Sequence, residues 1–117
     1  MAGTSWRKAP PELVDAFSTL VARFPELERR KMFGYPAAFL GGHLTTALHE
    51  DRWMVRLADA DRAELLARPG ASTFEPMAGR PMREYVILPA DVVADPEGSA
   101  AWVSRAVAHV RTLPPKR

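Results

Sequence analysis

Arginine and lysine side chains, grouped at three places in the sequence, are the residues best suited to binding chemistry. With the methionine that separates two of them they form the candidate contact set: Arg29, Arg30 and Lys31, then Arg52, Met54 and Arg56, then Arg80 and Arg83. Arginine binds carboxylates and phosphates through paired hydrogen bonds, so the set points to a protein partner or an anion. The net charge of +2 is only a weak overall field.

The remaining residue types that perform chemistry form no catalytic or metal-binding pattern. His43 and His49 lie in one predicted strand, on the same face but roughly 20 Å apart, too far to share a metal ion. The chain has no cysteine, which excludes thiolate catalysis, disulfides and cysteine-ligated zinc. Neither a nucleophile elbow nor a phosphate-binding glycine loop occurs. We therefore expect no catalytic residue, no metal and no cofactor, and a protein that is not an enzyme.

The elements that position the candidate residues follow from hydrophobic spacing between the eleven prolines. They are a helix over 11–24, strands over 35–40, 43–49 and 52–57, a short helix capped by Asp59 or Asp61, strands over 72–76 and 82–88, and a helix capped by Asp95 that extends to Leu113. Strands joined by tight turns and flanked by helices predict an α+β domain. We expect a two-layer α-β(3)-α-β(2)-α order, with helices on one face of an antiparallel five-stranded sheet. One domain over 1–117 is expected, ordered from about 9 to 113.

The strand over 52–57 decides where the candidate residues would act. Its apolar alternation places Trp53, Val55 and Leu57 on one face, with Met54 and the two arginines on the other. If helices cover the first face, the second is open for a partner or a second copy of the chain. Because that face lacks interleaved aromatic residues on which bases stack, nucleic acid is the weaker interpretation.

Two stretches of the sequence resemble a known family. Residues 29–39, Arg-Arg-Lys-Met-Phe-Gly-Tyr-Pro-Ala-Ala-Phe, and 75–82, Glu-Pro-Met-Ala-Gly-Arg-Pro-Met, are similar to the N-terminal domain of the TfoX/Sxy family, as are the helix start at Asp95 and Trp102. The resemblance covers about residues 6–115 and implies the same element order. A related type, MmcQ/YjbR, described as DNA-binding, shares a stretch like 33–39; the second stretch favours TfoX.

The resemblance implies a bacterial regulatory protein. The better-known TfoX members are two-domain regulators of natural competence, thought to act as coactivators beside a DNA-bound transcription factor. The 117 residues leave room for the first domain only, so we expect the fold to transfer rather than that role. We expect a non-enzymatic regulatory or interaction domain with a protein partner or self-association. The alternatives are a nucleic-acid-binding module of the MmcQ/YjbR type and a small-molecule binder or enzyme.

The expected compartment is the cytoplasm. No apolar run approaches the roughly 20 residues that a membrane-spanning helix needs. No apolar segment follows the charges near the N-terminus, so no signal peptide is expected.

Overall fold

Residues 7–116 are described by a computed structural model, in which helices pack on one antiparallel sheet. The elements in chain order are α1 (Pro11–Val21), β1 (Glu28–Met32), β2 (Tyr35–Leu40), β3 (His43–His49), β4 (Arg52–Arg56), α2 (Asp59–Leu66), β5 (Ser72–Met77), β6 (Arg80–Ile87), α3 (Ala90–Val93) and α4 (Pro96–Arg111). The strands pair in the order β1-β2-β3-β4-β6-β5. The expectation of mobile chain ends falls in part on residues 1–6 and 117, which lie outside the described residues.

The predicted α+β class is confirmed, but the sheet has six strands rather than five. The sequence does not predict β1, because its residues from Glu28 to Lys31 are all exposed and show no apolar alternation. The basic run therefore lies within an edge strand of its own instead of leading into the first strand. The one-turn helix α3 was also not predicted.

Two-residue loops close the first two hairpins. Gly41 and Gly42 have φ values of 58° and 83°, as the predicted β2–β3 turn requires. Phe33 and Gly34 repeat this backbone between β1 and β2, with φ values of 56° and 83°. Both central residues at positive φ define a type I′ turn, whose twist matches that of the flanking strands. These loops fix the register of β1, β2 and β3.

The helices cover the sheet face that carries Trp53, Val55 and Leu57, as predicted. Phe17 of α1 contacts Trp53 edge to face, with ring centroids 5.3 Å apart. The indole N–H of Trp53 donates to Oγ1 of Thr46 at 2.8 Å, and that hydroxyl donates to the carbonyl of Met54 at 2.8 Å. The buried indole N–H and the buried hydroxyl are thereby both paired, as burial requires.

Two helix starts test the predicted caps. Asp95 caps α4 by accepting from the backbone N–H of Glu97 at 3.2 Å, as its position before Pro96 indicates. The predicted cap of α2 is wrong, because α2 begins after Ala58 and has no side-chain cap. Asp59 lies inside its first turn and pairs instead with Arg62.

The opposite sheet face is not open, contrary to expectation. Phe74 of β5 lies with its ring centroid 5.3 Å from that of His49 on β3, although three strand spacings separate β3 from β5, about 14 Å in a flat sheet. Register shifts on both sides of Phe74 let the β5–β6 hairpin bend across this face. Met54 is consequently 1% exposed, and Ala47 is also buried.

A bulge at Thr45 changes the faces predicted for β3. Ala38 pairs with Thr46 and the next pair is Phe39 with Leu44, which leaves Thr45 as an extra residue. Leu44 therefore joins the apolar cluster around Met54 and lies on the face opposite to Thr46. The same extra residue places His43 and His49 on opposite faces, not on one.

Candidate interaction surface

Strand β1 separates its three cations between two faces of the sheet. Opposite residues of an antiparallel pair share a face, and Arg30 pairs with Ala37 on the side that the β5–β6 hairpin covers further along the sheet. Arg30 donates to Glu28 at 2.9 Å and lies 5.1 Å from the ring centroid of Phe39. The hydrogen bond with Glu28 raises the pKa of Arg30. This cation is therefore neutralised.

Arg29 and Lys31 point to the other face. Arg29 pairs with Ala38, which packs in the helix-side core, and Lys31 pairs with Pro36. Neither has a carboxylate within 4.0 Å among residues 7–116. The predicted run is thus two unpaired cations on one face and a neutralised arginine on the other.

Lys8 is a third cation without an acidic partner in the described chain, and it lies with Lys31 at an open cleft of about 410 Å³. The cleft is lined by Arg7, Lys8, Lys31, Phe33 and Tyr35, among others. The hydroxyl of Tyr35 donates to the backbone carbonyl of Arg7, which holds this N-terminal segment against the sheet. Phe33 is 58% exposed. We call Lys8, Arg29 and Lys31 the basic corner.

Arg52 and Arg56 of β4 have structural partners. Arg52 lies 3.0 Å from Nδ1 of His49 and 3.4 Å from Glu50. Since a guanidinium only donates, Nδ1 of His49 accepts. Burial lowers the pKa of His49, and the charge of Arg52 lowers it further against the opposing effect of Glu50. His49 is therefore held neutral at neutral pH.

Arg56 donates from Nε to Glu84 at 2.9 Å, and its guanidinium lies 5.7 Å from the ring centroid of Tyr85. Burial acts to lower the pKa of Arg56, but the bond with Glu84 and the electrostatic effects of Tyr85 and Glu84 outweigh it, so the net shift is upward. The same bond lowers the pKa of Glu84 against the effect of burial, with a smaller contribution from His109, 3.7 Å away. The pair stabilises the end of the strand instead of presenting a cation to a partner.

Met54, predicted as a contact on an open face, is buried, and that expectation is wrong. Arg80 and Arg83 lie near the turn of the β5–β6 hairpin, exposed and without a carboxylate within 4.0 Å in the described part of the chain. They are far along the strand order from β1. The structure therefore does not bring the eight predicted residues together; it divides them among an edge strand, a central strand and a hairpin.

Ion pairs neutralise most of the other cations. Nine arginines have an acidic partner: Arg7, Arg23, Arg30, Arg52, Arg56, Arg62, Arg68, Arg105 and Arg111. The unpaired cations within residues 7–116 are the basic corner, the two hairpin arginines and Lys116. Lys8 is not among the predicted contacts, because a lone lysine before a helix forms no sequence pattern.

Other kinds of site find less support in the described residues. No group of three histidine, aspartate or glutamate side chains within residues 7–116 is placed to hold a metal ion. A mainly apolar cleft of about 240 Å³ between α1 and α4 is lined by Leu20, Trp53 and Ser99, with Arg23 at its rim already paired to Glu97. Among the helices of the described part, none is long and apolar enough to cross a membrane.

Comparison with protein families decides which family this arrangement belongs to. The sequence profile of the TfoX N-terminal domain matches residues 19–110, more than three quarters of the chain. The chain belongs to the TfoX N-terminal domain family. Comparisons with curated proteins and with solved structures find no match. In this TfoX N-terminal domain the match begins inside α1 and ends inside α4, so it includes the whole sheet and β1.

Proposed function

We propose that this TfoX N-terminal domain is a non-enzymatic regulatory domain of the cytoplasm that binds a partner protein through the basic corner. The observation that carries the proposal is the distribution of unpaired charge. Nine arginines are neutralised within the fold, while Lys8, Arg29 and Lys31 have no acidic partner in the described chain. A cluster of like charges costs stability, so its retention favours a role in binding an acidic surface.

The non-enzymatic part of the proposal is supported by the roles of the side chains that could otherwise perform chemistry. Glu84 is paired with Arg56, and Asp95 caps α4. His49 accepts from Arg52, and Ser99 donates to the carbonyl of Val92 at 2.7 Å. Each of these groups has a structural function, which leaves binding as the activity that the surface supports best.

The test compares two variants that change the same charge at different places. One carries Lys8→Glu, Arg29→Glu and Lys31→Glu; the matched control carries Arg80→Glu, Arg83→Glu and Lys116→Glu. Binding of labelled poly-L-glutamate is measured by fluorescence anisotropy at low and high salt. We expect the corner variant to lose about tenfold or more in affinity and the control to retain wild-type affinity. Equal losses of affinity in both variants would contradict the proposal, because binding would then depend only on the net charge of the protein.

A nucleic-acid-binding module is the second candidate, and one observation favours it. Phe33 is 58% exposed beside Lys31 in the same cleft, the combination of aromatic ring and cation on which a single-stranded base stacks. A labelled single-stranded oligonucleotide in the same assay decides between the two. Tighter binding of the oligonucleotide than of poly-L-glutamate, reduced by Phe33→Ala, would favour nucleic acid over the proposed protein partner.

A further inference from the structure

The two outer strands of the sheet differ in whether they can accept another strand. Strand β5 contains Pro76, which has no backbone N–H, and its register shifts twice along its length. Strand β1 contains no proline, and its five pairs with β2 follow in unbroken register from Glu28 to Met32. No described strand lies on its outer side. A regular, unpaired edge of this kind is a template for strand addition.

The register shows which backbone groups face outward from β1. A two-residue loop makes Met32–Tyr35 a pair that exchanges hydrogen bonds, and such pairs alternate along an antiparallel ladder. Glu28 and Arg30 therefore bond to β2, while Arg29 and Lys31 direct their N–H and C=O groups to the open edge. Pro36, opposite Lys31, fits this assignment because its missing N–H is not needed there.

We propose that β1 binds an extended segment of a partner protein by strand addition, and that this segment alternates acidic and apolar residues. Arg29 and Lys31 supply both the outward backbone groups and the unpaired charges on one face. On the other face, Met32 of β1 and Phe39 of β2 are partly buried against the cluster around Met54. Acidic residues of the added strand would lie opposite the two cations, and its apolar residues would extend that cluster.

A second copy of the chain does not fit the same edge. In antiparallel self-pairing, each register with at least three residue pairs places a cation of one copy opposite a cation of the other. Pairing centred on Arg30, for example, puts Arg30 opposite Arg30 and Arg29 opposite Lys31. Like charges directly opposite one another are destabilising. The charges that favour an acidic strand thus disfavour a β1–β1 dimer.

This inference rests on the proposed function, and the experiment separates the two. The probe is a fluorescein-labelled heptapeptide of alternating glutamate and valine, compared with poly-L-glutamate, which offers charge without a strand. Lys31→Gln removes a charge and keeps the outward N–H, whereas Lys31→Pro removes both. Proline is tolerated where an edge N–H faces outward, and circular dichroism checks that Lys31→Pro keeps the wild-type fold.

The expected result is that Lys31→Pro weakens heptapeptide binding about tenfold beyond Lys31→Gln, while both variants bind poly-L-glutamate equally. Should Lys31→Pro fail to fold, hydrogen exchange of the wild-type protein gives the same information. The amides of Arg29 and Lys31 would gain protection with the heptapeptide, and that of Arg30, already bonded to β2, would change less. Equal binding by the two variants or unchanged exchange at Arg29 and Lys31 overturns strand addition and leaves the proposed function standing. Failure of wild-type protein to bind either probe overturns both.

Discussion

Strands β1 and β4 both carry basic residues, consecutive in β1 and alternating in β4, but the two sets differ in their acidic partners. Strand β4 lies inside the sheet, where Arg52 and Arg56 have acidic partners in Glu50 and Glu84. Strand β1 lies at the edge, where Lys31 has no acidic partner within residues 7–116. The side chain of Arg56 is 15% exposed, which explains why its charge needs a partner. At the edge, Arg29 and Lys31 stay hydrated without such a partner in the described chain, and their charges are available for other contacts.

The comparison shows that burial, not residue type, explains why the arginines of β4 need partners within the fold. A guanidinium that is removed from water must be hydrogen-bonded within the fold. One that stays hydrated has no such requirement, so its charge can serve a partner. Five predictions test this difference between the centre and the edge of the sheet, beginning with the largest expected effect.

The strongest test concerns the burial of β4 itself. Met54→Ala should lower the free energy of unfolding by about 2–5 kcal/mol, because it leaves a cavity beneath the bent β5–β6 hairpin. Met77→Ala is the matched control, since Met77 is 54% exposed, and should cost less than about 0.5 kcal/mol. Urea unfolding followed by circular dichroism measures both. Similar costs for the two methionines would contradict the covered face.

Two arginine variants compare the ion pairs directly. Arg56→Gln should cost about 1 kcal/mol, because it removes a half-buried charge-assisted bond and leaves Glu84 without that partner. Arg30→Gln removes an exposed pair with Glu28, which water screens, and should cost clearly less than Arg56→Gln. The same urea titration applies. A cost at Arg30 equal to that at Arg56 would remove the distinction between edge and centre.

A pH series tests the histidine beside Arg52. The pKa of His49 is lowered in the folded chain from its ordinary value of 6.5. Below pH 6.5 the unfolded chain therefore binds a proton that the folded chain does not. As the pH is lowered, stability falls until the pH reaches the pKa of His49 in the folded chain. The urea midpoint should drop between pH 7 and pH 5, and His49→Gln should flatten that drop. An unchanged slope in His49→Gln would assign the effect elsewhere.

A lower pH range separates the effect of Glu84 on stability from that of His49. Since Arg56 lowers the pKa of Glu84 from its ordinary value of 4.5, the stability from this pair is present above that value and is lost as the pH falls below it. Glu84→Gln should leave the slope between pH 7 and pH 5 intact and reduce the slope below pH 4.5.

Local patterns predicted the parts of the fold that depend on neighbouring residues. The alternation of Trp53, Val55 and Leu57 identified the helix-covered face, and Gly41-Gly42 identified a hairpin turn. Local patterns do not predict β1, because an edge strand that is exposed on both faces needs no apolar alternation. The bulge at Thr45 and the bend of the β5–β6 hairpin depend on contacts between strands distant in sequence.

The candidate site was predictable in its residue types but not in its boundaries. Arg29 and Lys31 were recognised as candidate contacts, and they remain so. The sequence pattern groups Arg56 with them, because nothing local reveals its pairing with Glu84, 28 residues away. The alternation of β4 likewise predicts an open surface at Met54, because the hairpin that covers it follows much later in the chain.

The smallest expected effect is a gain in stability instead of a loss, and it compares the two strands most directly. Arg29 and Lys31 are like charges on the same face of β1, and Lys8 lines the same cleft as Lys31. Lys31→Gln should therefore leave stability unchanged or raise it by less than about 0.5 kcal/mol at low salt, because a repulsion is relieved. The difference should vanish at high salt, where exposed charges are screened. A loss of stability at low salt, like that expected for Arg56→Gln, would show that Lys31 has a structural partner and would remove it from the basic corner.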